Sequence, residues 1–375
     1  MACGVLVFNS YMTVYPEQAV LSKDVYGASR QFVRQCEQKV IHRAVGGVKC
    51  HLTEGVASMS YSDRMQGNHL YSVLLSPRGA PRMVDQGRQI AQQFLSPFDS
   101  LVGLIGDGGS GKSILLKGMF PGLELTNDDE GVNVRPLPLM HQDDTGFFTP
   151  HTYHLDIRFE MAFYQVHELA DAIRLALERG KRVVVEHFDL IYPQLGMNAH
   201  LLIGIGEEII VTRPSIFGPE PDDIKKVVFA SINNRRMAHT AEDLVEHCLI
   251  DRRVYHFDHN DVRSGFILSF HDRPALDLRE LEQDVKAMIA QNLPISYLDN
   301  THVMIGDQRH YCTGPRMHVK STGEIRNFQL YHEFLVHPIT KDSRILGLVN
   351  IPSDYKLSEL NSLQLMTFSE PDNEG

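Results

Sequence analysis

The chain is short of paired cysteines. Its 375 residues include five (Cys3, Cys36, Cys50, Cys248 and Cys312), an odd number, widely spread and with no C-x-x-C pair. That excludes a disulfide framework as the basis of the fold, and any cysteine that matters acts singly. No apolar run approaches the roughly 18 residues of a membrane-spanning helix. The opening Met1-Ala2-Cys3-Gly4-Val5 lacks the charged n-region of a signal peptide. The expectation is therefore a cytoplasmic protein without a membrane partner. A basic excess is also missing. Lys and Arg number 36 against 47 Asp and Glu, a formal net charge of −11. This argues against non-specific binding to nucleic acid, which depends on clustered cations, but leaves room for a local basic groove. There is no internal repeat or low-complexity tract, and only the tail from Ser369 to Gly375 reads as disordered. The remainder, 43% hydrophobic and 22% charged, is that of a globular chain long enough for two or three domains.

One short segment carries the clearest chemistry. Gly106, Asp107, Gly108, Gly109, Ser110, Gly111, Lys112 and Ser113 read G-D-G-G-S-G-K-S, after the apolar run Leu101 to Ile105 and before Ile114-Leu115-Leu116. A strand, a glycine-rich turn and a helix in that order form a phosphate-binding loop. Its backbone N–H groups turn inward on a phosphate, Lys112 adds a point charge, and the Ser113 hydroxyl lies where Mg²⁺ would sit. ATP and Mg²⁺ are the implied ligands.

Around this loop the pattern alternates strands and helices. Met83 to Phe94 reads as a helix stopped by Ser96-Pro97, which places the start of a nucleotide domain near Asp99. Leu123 to Thr126 reads as a second strand ending in Asn127-Asp128-Asp129-Glu130. Phe159, Phe163, Val166, Ala170, Ile173 and Leu177 recur at helical spacing before Gly180. Arg182 to Glu186 is a β-branched strand expected to be central and buried, and Ile209 to Thr212 is another. Such alternation predicts a parallel sheet with ligands at the carboxyl ends of its strands. Pro214 to Pro221 is a breaker, and Asp222-Asp223 offers a cap for a long helix through about Ile250.

Phosphoryl transfer needs a phosphate cradle, a metal, a carboxylate beside that metal and a group that accepts the nucleophile's proton. Glu186 is the better carboxylate for Mg²⁺, with Asp189 behind it, and Asp128 or Asp129 is the candidate base. Arg158 and Arg213 are candidates for neutralising phosphate oxygens. His151 and His154 read as hydrogen-bonded residues rather than metal ligands.

The segment from about 99 to 215 resembles the uridine kinase and related nucleoside-kinase branch of P-loop proteins. The resemblance rests on G-D-G-G-S-G-K-S, the acidic pair after strand two, and V-V-V-E-H-F-D-L. It implies that Asp128 (or Asp129) assists a substrate hydroxyl and that Glu186 lies beside the metal. The resemblance matches the family's arginine-rich lid to Arg235-Arg236.

A second constellation lies nearer the C-terminus. Met237-Ala238-His239-Thr240-Ala241-Glu242-Asp243 is followed some seventy residues later by Tyr311-Cys312-Thr313-Gly314-Pro315-Arg316-Met317-His318-Val319-Lys320-Ser321-Thr322-Gly323-Glu324-Ile325. Residues of roughly 230 to 335 resemble the second additional domain of threonyl- and alanyl-tRNA synthetases and of free-standing alanyl-tRNA editing proteins. In that family H-x-x-x-H and C-x-x-x-H supply zinc ligands for hydrolysis of mischarged aminoacyl-tRNA. Here the first pair is His239-x-x-x-Asp243, one turn apart on one helix face. The second is Cys312 and His318, two residues wider than the family spacing, and His247 could stand in for Asp243. A possible Zn²⁺ site of His239, Asp243, Cys312 and His318 is an acceptable tetrahedral set.

The expected class is therefore α/β: a P-loop NTPase parallel sheet flanked by helices over residues 96–225, after an N-terminal region of unread fold (1–95). An α+β editing-type domain (226–335) and a C-terminal extension (336–375) follow. The leading functional expectation is an ATP-dependent phosphotransferase whose small-molecule acceptor is nucleoside-like or tRNA-linked. The alternatives are a metal-dependent aminoacyl-tRNA deacylase gated by ATP, and a non-enzymatic ATP-dependent sensor. Oligomeric state is not legible.

Overall fold

The computed structural model describes residues 71–126, 137–140, 151–352 and 354–361, all within one compact unit spanning Met59–Gly375. The candidates Asp128 and Asp129 lie outside the described residues, as do residues 1–70 of the N-terminal region.

The first half is built on a six-stranded sheet. In chain order it comprises β1 (Tyr71–Leu75), helix α1 (Ala80–Phe94), β2 (Leu101–Gly106), α2 (Lys112–Met119) and β3 (Thr152–Asp156). It continues with α3 (Ile157–Glu160), α4 (Val166–Glu178), β4 (Arg182–Glu186), α5 (Phe188–Leu195), β5 (Leu201–Ile205) and β6 (Glu208–Thr212). The strand order is β1-β6-β5-β2-β4-β3. Strands β5, β2, β4 and β3 run parallel, and β6 and β1 add an antiparallel edge. The period-two alternation of a strand explains the two cores. Leu101, Ile105, Val183, Val185 and Leu202 face α4 and α5, whereas Val102, Leu104, Val184, Leu201 and Ile203 face α1 and α2.

Three sequence expectations meet a different outcome. The second strand expected at Leu123–Thr126 is irregular, and the strand beside β4 is β3, thirty residues on. The run from Phe159 to Leu177 is not one helix. Gln165 and Glu168 form a capping box that starts α4 afresh at Val166, leaving Phe159 and Phe163 to stack on each other outside it. Arg213 lies far from the phosphate loop. Because β6 runs antiparallel to β5, its last residues reach the amino end of β2, where Arg213 makes paired hydrogen bonds to Asp99 at 2.6 and 2.8 Å.

The second half hangs on α6 (Pro221–Asp251), a helix that continues through the boundary expected at 225/226. Its opening is capped by Glu220 and Asp223. Ile224 and Val228 belong to the core of the parallel sheet, while Met237, Ala241, Leu244, Val245 and Leu249 belong to the next one. Around that end fold β7 (Asp258–Val262), β8 (Gly265–Phe270), α7 (Leu278–Ala290), β9 (Ile295–Asp299), β10 (His302–Ile305) and β11 (Gln308–Tyr311). The short β12 (Gln329–Leu330) and β13 (Leu335–Val336) and then β14 (Ser343–Leu348) complete it. Strands β9, β10 and β11 form an antiparallel meander, and β12-β14-β8-β7 form an antiparallel sheet with β13 also on β14. The strand β14 lies beyond the limit expected at 335, yet it is interior to this sheet. No helix among the described residues is long and apolar enough to cross a membrane.

Glu207, in the turn between β5 and β6, ties the halves together by accepting from Ser264 N and Asn234 Nδ2. Burial pushes its carboxyl up to about 7, against the hydrogen bonds from Ser264 and Asn234 that favour the ion. A raised folded pKa means that the protonated form stabilises the fold, fully below the ordinary value of 4.5 and progressively less as pH climbs through 7. Melting temperature should thus fall between about pH 5 and about pH 8, with Glu207 contributing up to about 3 kcal/mol. Glu207→Gln should flatten that slope in thermal denaturation; an unchanged slope would show that this carboxyl does not titrate there.

Candidate functional site

The carboxyl ends of β2, β3 and β4 deliver Gly106, Asp156 and Glu186 to one edge of the sheet. Between β2 and α2 the chain must turn through left-handed conformations, and Gly109 (φ 77°) and Gly111 (φ 94°) stand where those occur. Lys112 is buried and donates to the carbonyls of Gly106 (3.1 Å) and Asp107 (3.0 Å). Burial lowers its pKa, opposed by the charges of Glu186, Asp156 and Asp107. The loop thus holds a cation beside backbone N–H groups, and Ser113 hydrogen-bonds Glu186.

Glu186 is buried. Burial alone would raise its pKa, but the hydrogen bond from His154, the charge of Lys112 and the Ser113 hydroxyl hold it below the ordinary value. His154 lies on β3 with Nε2 3.2 Å from Glu186 Oε1, and its Nδ1 accepts from Thr126 N at 3.1 Å. It is the hydrogen-bonded core histidine that the sequence suggested. Asp189 pairs with Lys225 at 2.9 Å. Asp156 was missed, although it closes the strand T-Y-H-L-D as Glu186 closes R-V-V-V-E. Its T-Y-H-L-D run lacks the β-branched pattern that made R-V-V-V-E readable.

Arginines crowd the loop. Arg236 donates to Asp107 Oδ2 (2.8 Å) and to Gly108 O (3.2 Å), and Arg235 to Ser110 O (3.0 Å). The Arg236 hydrogen bond, working against burial, lowers the pKa of Asp107. The pair Arg235-Arg236, matched by resemblance to a lid, here sits on α6, a long helix. A Cβ on Gly108 would lie 3.6 Å from Arg158 Nη1, so Arg158 stays a phosphate-side candidate. A Cβ on Gly109 would meet the carbonyl of Arg316 at 2.9 Å, so the segment between Cys312 and His318 rests on the glycine-rich loop.

One turn beyond Arg235, the same helix carries His239 and Asp243. The structure brings these together with Cys312 and His318, one donor atom of each lying within 4.8 Å of every other. His239 Nε2 is 3.1 Å from Cys312 Sγ, Cys312 Sγ is 3.3 Å from His318 Nε2, and His318 Nε2 is 3.4 Å from Asp243 Oδ2. Thr240 Oγ1 lies 3.2 Å from His318 Nδ1, which turns Nε2 toward the cluster. Burial first, with the Arg78 charge behind it, pushes His318 down to about 3 and His239 well below its ordinary value, so both imidazoles carry lone pairs. Burial raises the Cys312 thiol while Arg78 opposes the rise. The donor set fits a zinc ion: neutral imidazoles, one thiol and one carboxylate whose Oδ2 has no hydrogen-bond donor. The wider Cys312 to His318 spacing is absorbed by a turn in which Met317 N reaches Gly314 O, so both side chains still converge. His247 is not in this set. It faces Asp251 at 3.7 Å.

No sequence signal pointed to Arg78, from the loop between β1 and α1. Its buried guanidinium pairs with both Glu242 and Asp243 of α6, and burial lowers its pKa to about 10. Glu242 also accepts from His259 Nδ1 at 2.6 Å. A cavity of about 180 Å³ lined by Arg78, Glu246, His259 and Cys312 opens beside the cluster.

No family model matches the chain, and no curated protein matches it. Among solved structures it is compared with an ornithine aminotransferase from Toxoplasma gondii at 11% identity, covering 77% of this chain and 78% of that one, with a TM-score of 0.21. DndA from Streptomyces lividans gives 13% identity over 88% of this chain and 91% of that one, with a TM-score of 0.22. At such scores neither likeness carries a fold or functional argument.

Arg78→Met should leave Glu242 and Asp243 buried without their counter-charge and cost about 3 kcal/mol in urea denaturation at neutral pH. A loss below about 0.5 kcal/mol would show that the two carboxyls are neutralised by something other than Arg78.

Proposed function

We propose that the chain is an ATP-dependent phosphotransferase acting on a nucleoside-like or tRNA-linked small molecule. The observation that carries this reading is the meeting of Lys112, Ser113 and Glu186 at the carboxyl edge of parallel strands. Backbone N–H groups of Gly108 to Lys112 and the Lys112 ammonium would bind the phosphates. Ser113 and Glu186 would hold Mg²⁺, which supplies charge neutralisation between the phosphates. The acceptor hydroxyl attacks the terminal phosphorus as the bridging P–O bond breaks and ADP leaves. Its proton passes to a carboxylate, for which Asp128 is the motif-based candidate. Arg158 and Arg236 flank the loop where charge on the transferred group develops.

A second reading is favoured by the convergence of His239, Asp243, Cys312 and His318: hydrolysis of an aminoacyl ester at a zinc centre, gated by ATP. Those four side chains would hold Zn²⁺, and the adjoining cavity would admit the ester. Zinc supplies Lewis acidity and a water of lowered pKa. Arg236 and Arg316 connect this cluster to the phosphate loop, which is the material basis for gating.

Lys112→Ala should abolish ATP binding in equilibrium dialysis, while Glu186→Gln should retain binding but lower transfer of labelled phosphate at least about 100-fold. Phosphate transfer that persists in Lys112→Ala would refute the kinase reading. For the second reading, release of amino acid from mischarged alanyl- or threonyl-family tRNA should be lost in Cys312→Ala; equal rates in the two proteins would exclude it.

A further inference from the structure

The helix α6 carries more metal-type donors than one ion needs. His239 precedes Glu242 and Asp243 by three and four residues, and these precede Glu246 by four and three, which places all four on one stripe. Opposite them the end of β11 supplies His310 and Cys312, two residues apart and hence on the same strand face, with Arg309 and Tyr311 turned outward. Two ladders of donors therefore face each other. Asp243, Glu246 and His310 form a second set, with one donor atom of each within 4.8 Å of the others.

Asp243 belongs to both sets. Its Oδ2 lies 3.4 Å from His318 Nε2 on one side and 3.9 Å from His310 Nε2 on the other. His310 Nε2 is buried, 8% of the residue being exposed, and it has no hydrogen-bond partner. A buried imidazole nitrogen without a partner costs free energy unless something occupies it. The carboxylate Oδ2 of Asp243 is in the same position. Together the two sets offer six side chains, two more than a tetrahedral zinc ion takes.

We propose that Asp243, Glu246 and His310 bind a second divalent cation, with Asp243 as the carboxylate shared between two ions. The proposal rests on His239, Asp243, Cys312 and His318 holding the first ion. Glu246 lines the cavity of about 180 Å³ that Cys312 also lines, and His310 lines a larger one of about 510 Å³. The second ion thus stands where solvent and a phosphate- or ester-bearing ligand reach it, with positions left for water. Two cations sharing a carboxylate clamp both oxygens of a displacement.

The test is metal stoichiometry on the full chain, stripped with a chelator, dialysed against Zn²⁺ and measured by inductively coupled plasma mass spectrometry. Wild type should hold two zinc ions per chain. His310→Asn and Glu246→Gln should each hold one, with unchanged circular dichroism. Glu246 is only half-buried and its substitution keeps the shape, so it decides the matter if His310→Asn does not fold. One zinc in wild type, lost in His239→Asn and kept in Glu246→Gln, would overturn the second site and leave the first. None in wild type would overturn both. With Co²⁺ in place of zinc, the shared carboxylate should couple the spins and weaken the paramagnetic resonance signal per cobalt relative to Glu246→Gln; equal signals would overturn the sharing of Asp243.

Discussion

The guanidinium of Arg78 is buried between two carboxylates of a helix that belongs to the other half of the molecule. A buried cation is tolerated only where its charge is met, so the loop between β1 and α1 must stay docked on α6. Gly79 makes the docking close: a Cβ there would overlap the side chain of Thr313, and Ala80 N donates to the Thr313 carbonyl. One ionic contact thereby fixes three things: the start of α1, the register of α6 against the parallel sheet, and the loop that carries Cys312.

From that constraint follows the neighbourhood of the two candidate sites. Helix α6 runs unbroken over 31 residues, so it sets the spacing of everything attached to it. Arg235 and Arg236 reach the glycine-rich loop, and His239 and Asp243 follow one and two turns later in the histidine–cysteine cluster. The segment from Cys312 to His318 makes a second bridge, because Arg316 lies against Gly109. Phosphate in the loop would compete with Asp107 for Arg236, since both are anions within its reach. A change in that pairing acts on the turn of α6 that precedes the cluster.

How much of this was legible depends on where each signal resides in the chain. The strand–loop–helix at 101–119 was readable because its glycines, lysine and serine are contiguous and their roles follow from backbone geometry. Glu186 was readable as a charge closing an apolar strand. Cys312 and His318 were found by resemblance despite altered spacing, because the residues after them kept the pattern. Asp156 escaped, since T-Y-H-L-D lacks the β-branched run that marks R-V-V-V-E as a strand. Arg78, Glu246 and His310 escaped for a different reason: their contacts arise only where three distant segments meet, and no local pattern encodes that meeting. Domain limits were blurred because β1 joins β6 and β14 joins β8 across long stretches of chain.

The charge within the cluster explains why cations suit it. Buried Glu242 and Asp243 share the Arg78 guanidinium and half-buried Glu246 lines the cavity beside them, so the carboxylates outnumber that counter-ion. The histidines cannot make up the difference, since burial and the Arg78 charge hold His239, His310 and His318 neutral. Protonated imidazoles would place like charges beside Arg78; neutral ones present lone pairs instead. A divalent cation satisfies both demands at once, balancing the excess carboxylate charge and occupying the imidazole nitrogens. Ionisation of Cys312 on binding would add one further negative charge, and with it room for a second ion.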